Sequence, residues 1–260
     1  MSEAGLPGQP SREPLSAQPA AAHASAVQPS VTQPPATQPL IVAIDGPAGA
    51  GKSTLAKRLA ERFGLLNLET GAMYRAFAWK ALERGVATGD AAALDRLAAE
   101  TMLDLQPGAG GNRVLLDGVE VTDRLRTPEV TTAASEVSVH PAIRRWMVSL
   151  QRQLGARGNV VMEGRDIGTE VFPHAPVKIF LDASPETRGE RRFEQVRERE
   201  DVPVPEMVLR EIRERDRRDR TRANSPLRPA EDAVVIDSTE LPLEAVVARA
   251  VALIEARLVR

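Results

Sequence analysis

The chain has 260 residues, of which 27% are charged and 42% hydrophobic, with a formal net charge of −2 and no cysteine. Without cysteine, disulfides, thiolate nucleophiles and thiolate metal ligands are excluded, which suits a cytoplasmic location. A charge this close to zero excludes a global basic footprint for nucleic acid, and no run of 18 apolar residues is present to form a membrane span.

Residues 1–39 hold eight prolines, eight alanines and five glutamines, with one arginine and no lysine. Such a segment buries too little apolar area to offset the entropy of ordering it. A disordered extension is expected, with an interaction tail as the alternative. It lacks the features of a secretory signal or a transit peptide. The remaining 221 residues, 40–260, suit one α/β domain with inserts.

An apolar run from Leu40 to Ile44 predicts the first strand. Gly46, Pro47, Ala48, Gly49, Ala50, Gly51, Lys52 and Ser53 then fill every position of the template G-x-x-x-x-G-K-[ST]. From Thr54 to Phe63, Leu55, Leu59 and Phe63 mark one face of a helix. A strand, a glycine-rich turn and a helix in this order converge backbone N–H groups on an anion at a helix N-terminus. Lys52 can reach terminal phosphates, and Ser53 can offer its hydroxyl to Mg²⁺. The stretch predicts a nucleoside triphosphate site.

Helical patterns follow at Ala72–Arg84 and Ala91–Met102, and VLLDGVEV (114–121) reads as a hairpin turning at Asp117-Gly118. Helical patterns resume near Pro128 and Pro141. Asn159–Glu163, Val177–Asp182 and Ala233–Asp237 read as buried strands, and Leu243 to about Leu258 as a closing helix. Apolar runs alternating with helices indicate a parallel sheet covered on both faces. About 71–158 is then a long insertion between its first two strands.

Three polar stretches stand out. Glu69–Arg75 (ETGAMYR) and Glu163–Thr169 (EGRDIGT) each join a glycine turn, a polar residue and an arginine at the end of an element. Arg165 and Asp166 follow a predicted strand and should project into the crevice where open α/β sheets bind ligands. Guanidinium groups grip phosphate bidentately. The competing readings are an exposed helix arginine for Arg75 and a local ion pair for Arg165 with Asp166. The third stretch, Arg210–Arg222, reads alone as a solvated helix face. Between Glu186 and Arg222, twelve arginines face eleven acids, too balanced for a polynucleotide site. Combined with a triphosphate loop, arginines on a closing segment would neutralise a migrating phosphoryl group. Arg215, Asp219 and Arg222 are spaced to share one helical face. A regulatory GTPase and a nucleic-acid-stimulated ATPase are rival classes; the first lacks an N-K-x-D stretch, the second a basic surface.

Taken in order, IDGPAGAGKST, TGAMYR, AASEVS, EGRDIGT, VKIFLDAS and RDRRDRTR resemble bacterial cytidylate kinases over essentially all of 40–260. The resemblance implies a three-layer α/β P-loop kinase fold with a parallel central sheet. It adds a monophosphate-binding insert (about 71–158) containing a small β element, and an Arg-rich lid (about 186–225). It implies a monomer that passes the γ-phosphoryl of ATP to CMP or dCMP with Mg²⁺, with no nucleic-acid or membrane partner. A kinase of different acceptor preference is the runner-up.

By the same resemblance, Gly46 to Thr54 hold the ATP phosphates, and Lys52, Arg165, Arg215 and Arg222 serve the transfer. Arg75, Arg165 and Arg222 would hold the acceptor phosphate or the group in flight. Ser135, Arg144 and Asp166 would read the base, Arg215 and Asp219 would contact the ribose, and Thr70 would complete the acceptor site. Cytosine presents an N4 amine to a carboxylate, where uracil presents a repelled carbonyl. Glu69 departs from the family's usual Asp at that place, while Thr70 keeps the hydroxyl.

Overall fold

The structure is a computed structural model that describes residues 39–108, 111–197 and 204–258. The 1–39 extension, apart from Pro39, lies outside the described residues, as do 198–203 of the expected lid.

The chain opens with β1 (Ile41–Asp45), α1 (Lys52–Phe63), β2 (Leu66–Glu69), α2 (Thr70–Glu83) and α3 (Ala91–Ala99). Asp90 caps α3 by accepting from the N–H of Ala93, and the helix stops three residues short of the expected Met102. A small sheet follows: β3 (Leu103–Gly108), β4 (Gly111–Leu116) and β5 (Val119–Glu120), all antiparallel. Its β4–β5 turn is the expected Asp117-Gly118 pair, both with positive φ, as a two-residue hairpin requires. Next come α4 (Pro128–Val137) and α5 (Pro141–Gly155), each with proline in its first turn, where a missing N–H does no harm. The remainder is β6 (Val160–Gly164), β7 (Val177–Asp182), α6 (Pro185–Val196), α7 (Pro205–Thr221), β8 (Val234–Asp237) and α8 (Leu243–Leu258).

Five strands form a parallel sheet in the order β2-β6-β1-β7-β8. Side chains alternate across it. Ala43, Val160 and Met162 enter one core with Met73, Phe77, Ile143 and Met147 of α2 and α5. Val42, Ile44, Val161 and Ile179 enter the other with Leu55 and Leu59 of α1 and Ala250 and Ile254 of α8. Helices on both faces make the three layers expected, and they explain why β1 and β6 read as unbroken apolar runs.

Two expectations are corrected. The sheet's second strand in sequence is β2, not β6, so the inserted helices and small sheet lie between β2 and β6. β8 is also not a buried strand: it lies at the sheet edge, with Val234 and Val235 exposed and only Ile236 buried. β1 is the central strand, with β6 on one side and β7 on the other, so the loops leaving all three emerge together at the carboxyl edge of the sheet. That edge is where open α/β sheets bind ligands.

Candidate active site

The loop after β1 is held against β7. Gly46 has φ 149°, and a Cβ there would sit 1.9 Å from the Leu181 carbonyl oxygen, so no other residue fits. Behind it, Lys52 is buried and donates from Nζ to the Pro47 carbonyl at 2.7 Å. Burial, then the nearby Arg165, pushes the Lys52 ammonium down to about 7, against the pull of Glu163. Glu163, at the end of β6, is buried beside Ser53 and Lys52, and burial raises its carboxyl above the usual range.

The crevice is a cavity of about 970 Å³. Ala48, Gly49, Lys52 and Ser53 form one end of its lining. Thr70, Arg75, Ser135, Arg144, Arg165, Asp166, Arg215, Asp219 and Arg222 all line it too. Gly46, Pro47, Ala50 and Gly51 of the same loop, and Thr54 in the first turn of α1, lie outside its lining. Residues from five separate stretches thus meet in one place.

Arg165 and Asp166 are adjacent in sequence but pair elsewhere. Arg165 Nε meets Asp219 Oδ2 at 3.0 Å, and Asp166 Oδ2 accepts from Arg144 Nη2 at 2.5 Å. The local ion pair between neighbours does not form. Asp219 also holds Arg222, at 3.3 Å. Burial alone would raise the Asp219 carboxyl, but Arg165, Arg215 and Arg222 outweigh it and hold it low. Arg222 lies just past the end of α7 in extended backbone, so it reaches Asp219 from outside the helical face it was expected to share.

Arg75 is half-buried against Glu69 at 2.5 Å, which rules out the exposed-arginine reading. Thr70 donates from Oγ1 to the Glu163 carbonyl at 2.8 Å. Arg144 sits 5.7 Å above the ring of Tyr74, whose phenol is pushed up to about 12 by burial. Arg215 falls to about 10, through burial and then Arg165.

Native proteins leave few buried polar atoms unpaired. Among the described residues eleven such side-chain atoms occur, and eight belong to residues that line this cavity. They include Ser135 Oγ, Tyr74 Oη, Arg222 Nη2, Glu163 Oε1 and the Nε atoms of Arg75 and Arg215. Unpaired donors and acceptors gathered in one hollow fit a polar, phosphorylated ligand rather than a structural core.

Comparison with known families decides the matter, since the cytidylate kinase model matches residues 42–256. This chain belongs to the cytidylate kinase family. It is similar to the cytidylate kinase of Solibacter usitatus, 52% identical over 206 residues covering 78% of this chain and 87% of that one. The cytidylate kinase of Pelotomaculum thermopropionicum is 51% identical over 216 residues, covering 83% and 96%. That of Anoxybacillus flavithermus is 48% identical, again covering 83% and 96%. Membership makes the chain a (d)CMP kinase, one of the nucleoside monophosphate kinases.

Sequence reasoning missed three contributors to this kinase site. Glu163 had a signal, an acid ending an apolar strand beside the loop strand. Tyr74 had only its place in TGAMYR. Arg188 had none. It is fully buried on α6 and donates to both oxygens of Asp216 on α7, at 3.0 and 2.5 Å. It also donates to the carbonyls of Ala183 at 2.8 Å and of Ala48 in the phosphate loop at 3.1 Å. One guanidinium therefore ties the loop to both helices of the expected lid. Among the described residues, no helix is long and apolar enough to cross a membrane.

Proposed function

We propose that this enzyme transfers the γ-phosphoryl group of ATP to CMP or dCMP by direct in-line displacement with Mg²⁺, giving ADP and CDP or dCDP. The carrying observation is that eight of the eleven unpaired buried polar atoms among the described residues belong to side chains lining the cavity that the phosphate loop opens into.

The loop 46–54 presents backbone N–H groups to the ATP phosphates, and Lys52 supplies a cation to the terminal ones. Phosphate charge restores the proton that burial loosens on Lys52. Mg²⁺ prefers oxygen ligands and keeps several waters. The Ser53 hydroxyl and the unpaired Glu163 Oε1 beside it fit such an ion, directly or through water. When bound, the ion neutralises charge on the transferring phosphates.

Arg75, Arg165 and Arg222 grip the acceptor phosphate, and Arg165 with Arg215 stabilises the charge of the group in flight. Because the acceptor phosphate is already an anion, no side chain need remove a proton or carry the phosphoryl group. Asp219 holds Arg165 and Arg222 ready and, with Arg215, faces the ribose. Asp166 uses one oxygen for Arg144 and offers the other to the N4 amine of cytosine, with Ser135 beside it. Thr70 completes the acceptor site next to Glu163.

In this reading the lid (about 186–225) closes over the insert (about 71–158) and excludes water. The enzyme works as a cytoplasmic monomer, and residues 1–39 take no part. ATP consumption with CMP, dCMP, UMP, AMP, GMP and shikimate offered separately tests it. CMP and dCMP should turn over fastest; faster AMP or shikimate would overturn the assignment.

A further inference from the structure

Asp45 ends β1, one residue before the phosphate loop, and is buried. Its two carboxylate oxygens are spent on a different loop. Oδ1 accepts from the Ile167 N–H and Oδ2 from the Gly168 N–H, both at 2.7 Å. Those residues open a single wide helical turn, Ile167–Val171, that directly follows Asp166. Within the turn, the N–H groups of Glu170 and Val171 already reach back to the Asp166 carbonyl. The first two N–H groups of a helical turn have no partner inside it. Asp45 supplies that partner from a strand more than 120 residues earlier.

The fit is close. A Cβ on Gly168 would stand 3.4 Å from Asp45 Oδ2 and 3.3 Å from Lys178 Cδ. Asp166 itself has φ −151° and ψ 25°, outside the helical and strand regions, so the Asp45 bonds help to fix its backbone. Burial pushes the Asp45 carboxyl up to about 6, which leaves it ionised at pH 7.5 and able to accept both bonds.

We propose that Asp45 is a positioning residue for acceptor choice: by clamping the N–H groups of Ile167 and Gly168 it aims the Asp166 carboxylate at the acceptor base. One strand end then serves both substrates, launching the ATP loop through its backbone and setting base selection through its side chain. This inference rests on the proposed role of Asp166 in reading cytosine.

Asp45→Asn tests it, since its amide can accept one N–H but turns a donor toward the other. At saturating ATP, the ratio of kcat/KM for CMP to that for UMP should fall about tenfold. In an Asp166→Ala background the same change should leave the ratio untouched, because Asp45 acts only through Asp166. A merely structural role would lower both acceptors alike in either background. If Asp45→Asn does not fold, Asp45→Ser removes the carboxylate without adding bulk, leaves at least one of the two N–H groups unclamped, and should move the ratio in the same direction. An unchanged ratio in a folded variant, or an equal loss in the Asp166→Ala background, overturns the inference. Wild-type enzyme without CMP preference would instead overturn the reading of Asp166 on which it rests.

Discussion

Arg144 of α5 and Asp166 after β6 meet at 2.5 Å, both side chains buried, although 22 residues separate them in sequence. The bond leaves one Asp166 oxygen for a base and fixes the orientation of the carboxylate. Asp166→Ala should therefore erode the preference for CMP over UMP by about tenfold, the scale of a buried hydrogen bond worth ~1–3 kcal/mol. ATP affinity should change less. Unchanged discrimination, measured as the ratio of kcat/KM values, would reduce the pair to a structural role.

Lys52→Met keeps the packing of the side chain's stem but removes its charge. Turnover should fall on the order of 10²-fold or more, because charge on the terminal phosphates goes uncompensated. Its stability should behave in the opposite sense. A lysine whose pKa drops from 10.5 unfolded to about 7 folded penalises folding fully below pH 7. That penalty fades as pH rises through the window between those values. The ligand-free variant should thus gain Tm over wild type at pH 6.5, and the gain should shrink at pH 9. A difference that grows with pH would contradict the account of a lysine held there at the expense of stability.

Arg188 and Asp216 form a buried bidentate pair. Removing one partner from such a pair leaves an uncompensated buried charge and costs about 3–5 kcal/mol. Arg188→Met should lower stability on that scale in urea unfolding. The double change Arg188→Met with Asp216→Leu should recover most of the loss. An additive double variant would show that the two residues act independently.

Deleting residues 1–38 should leave turnover, acceptor choice and Tm within a degree or two of the full chain, a change of a few tenths of a kcal/mol. The segment's proline, alanine and glutamine offer no phosphate contact and little core. A large loss of activity on truncation would show that it docks on the kinase.

Much of the fold was legible because β1, β6 and β7 are buried on both faces and so read as apolar runs between helices. β2 escaped notice because LNLE is four residues long with two of them polar, and β3 because LDLQPG carries a proline and a glycine. The phosphate loop was legible outright, since its function depends on local spacing. The partners of Arg165, Asp166 and Arg188 were not. Each is chosen by topology across 22 to 54 residues, and the neighbour in sequence is a poor guide to the neighbour in space.

Direct transfer from ATP to the cytidine monophosphate is the central claim, and the fate of the γ-phosphoryl group tests it most directly. Enzyme mixed with γ-labelled ATP, CMP and Mg²⁺, then quenched within the first turnover, should place the label on the β-phosphate of CDP and leave none on the protein. Label bound to a side chain, or released as inorganic phosphate while CMP stays unphosphorylated, would contradict it.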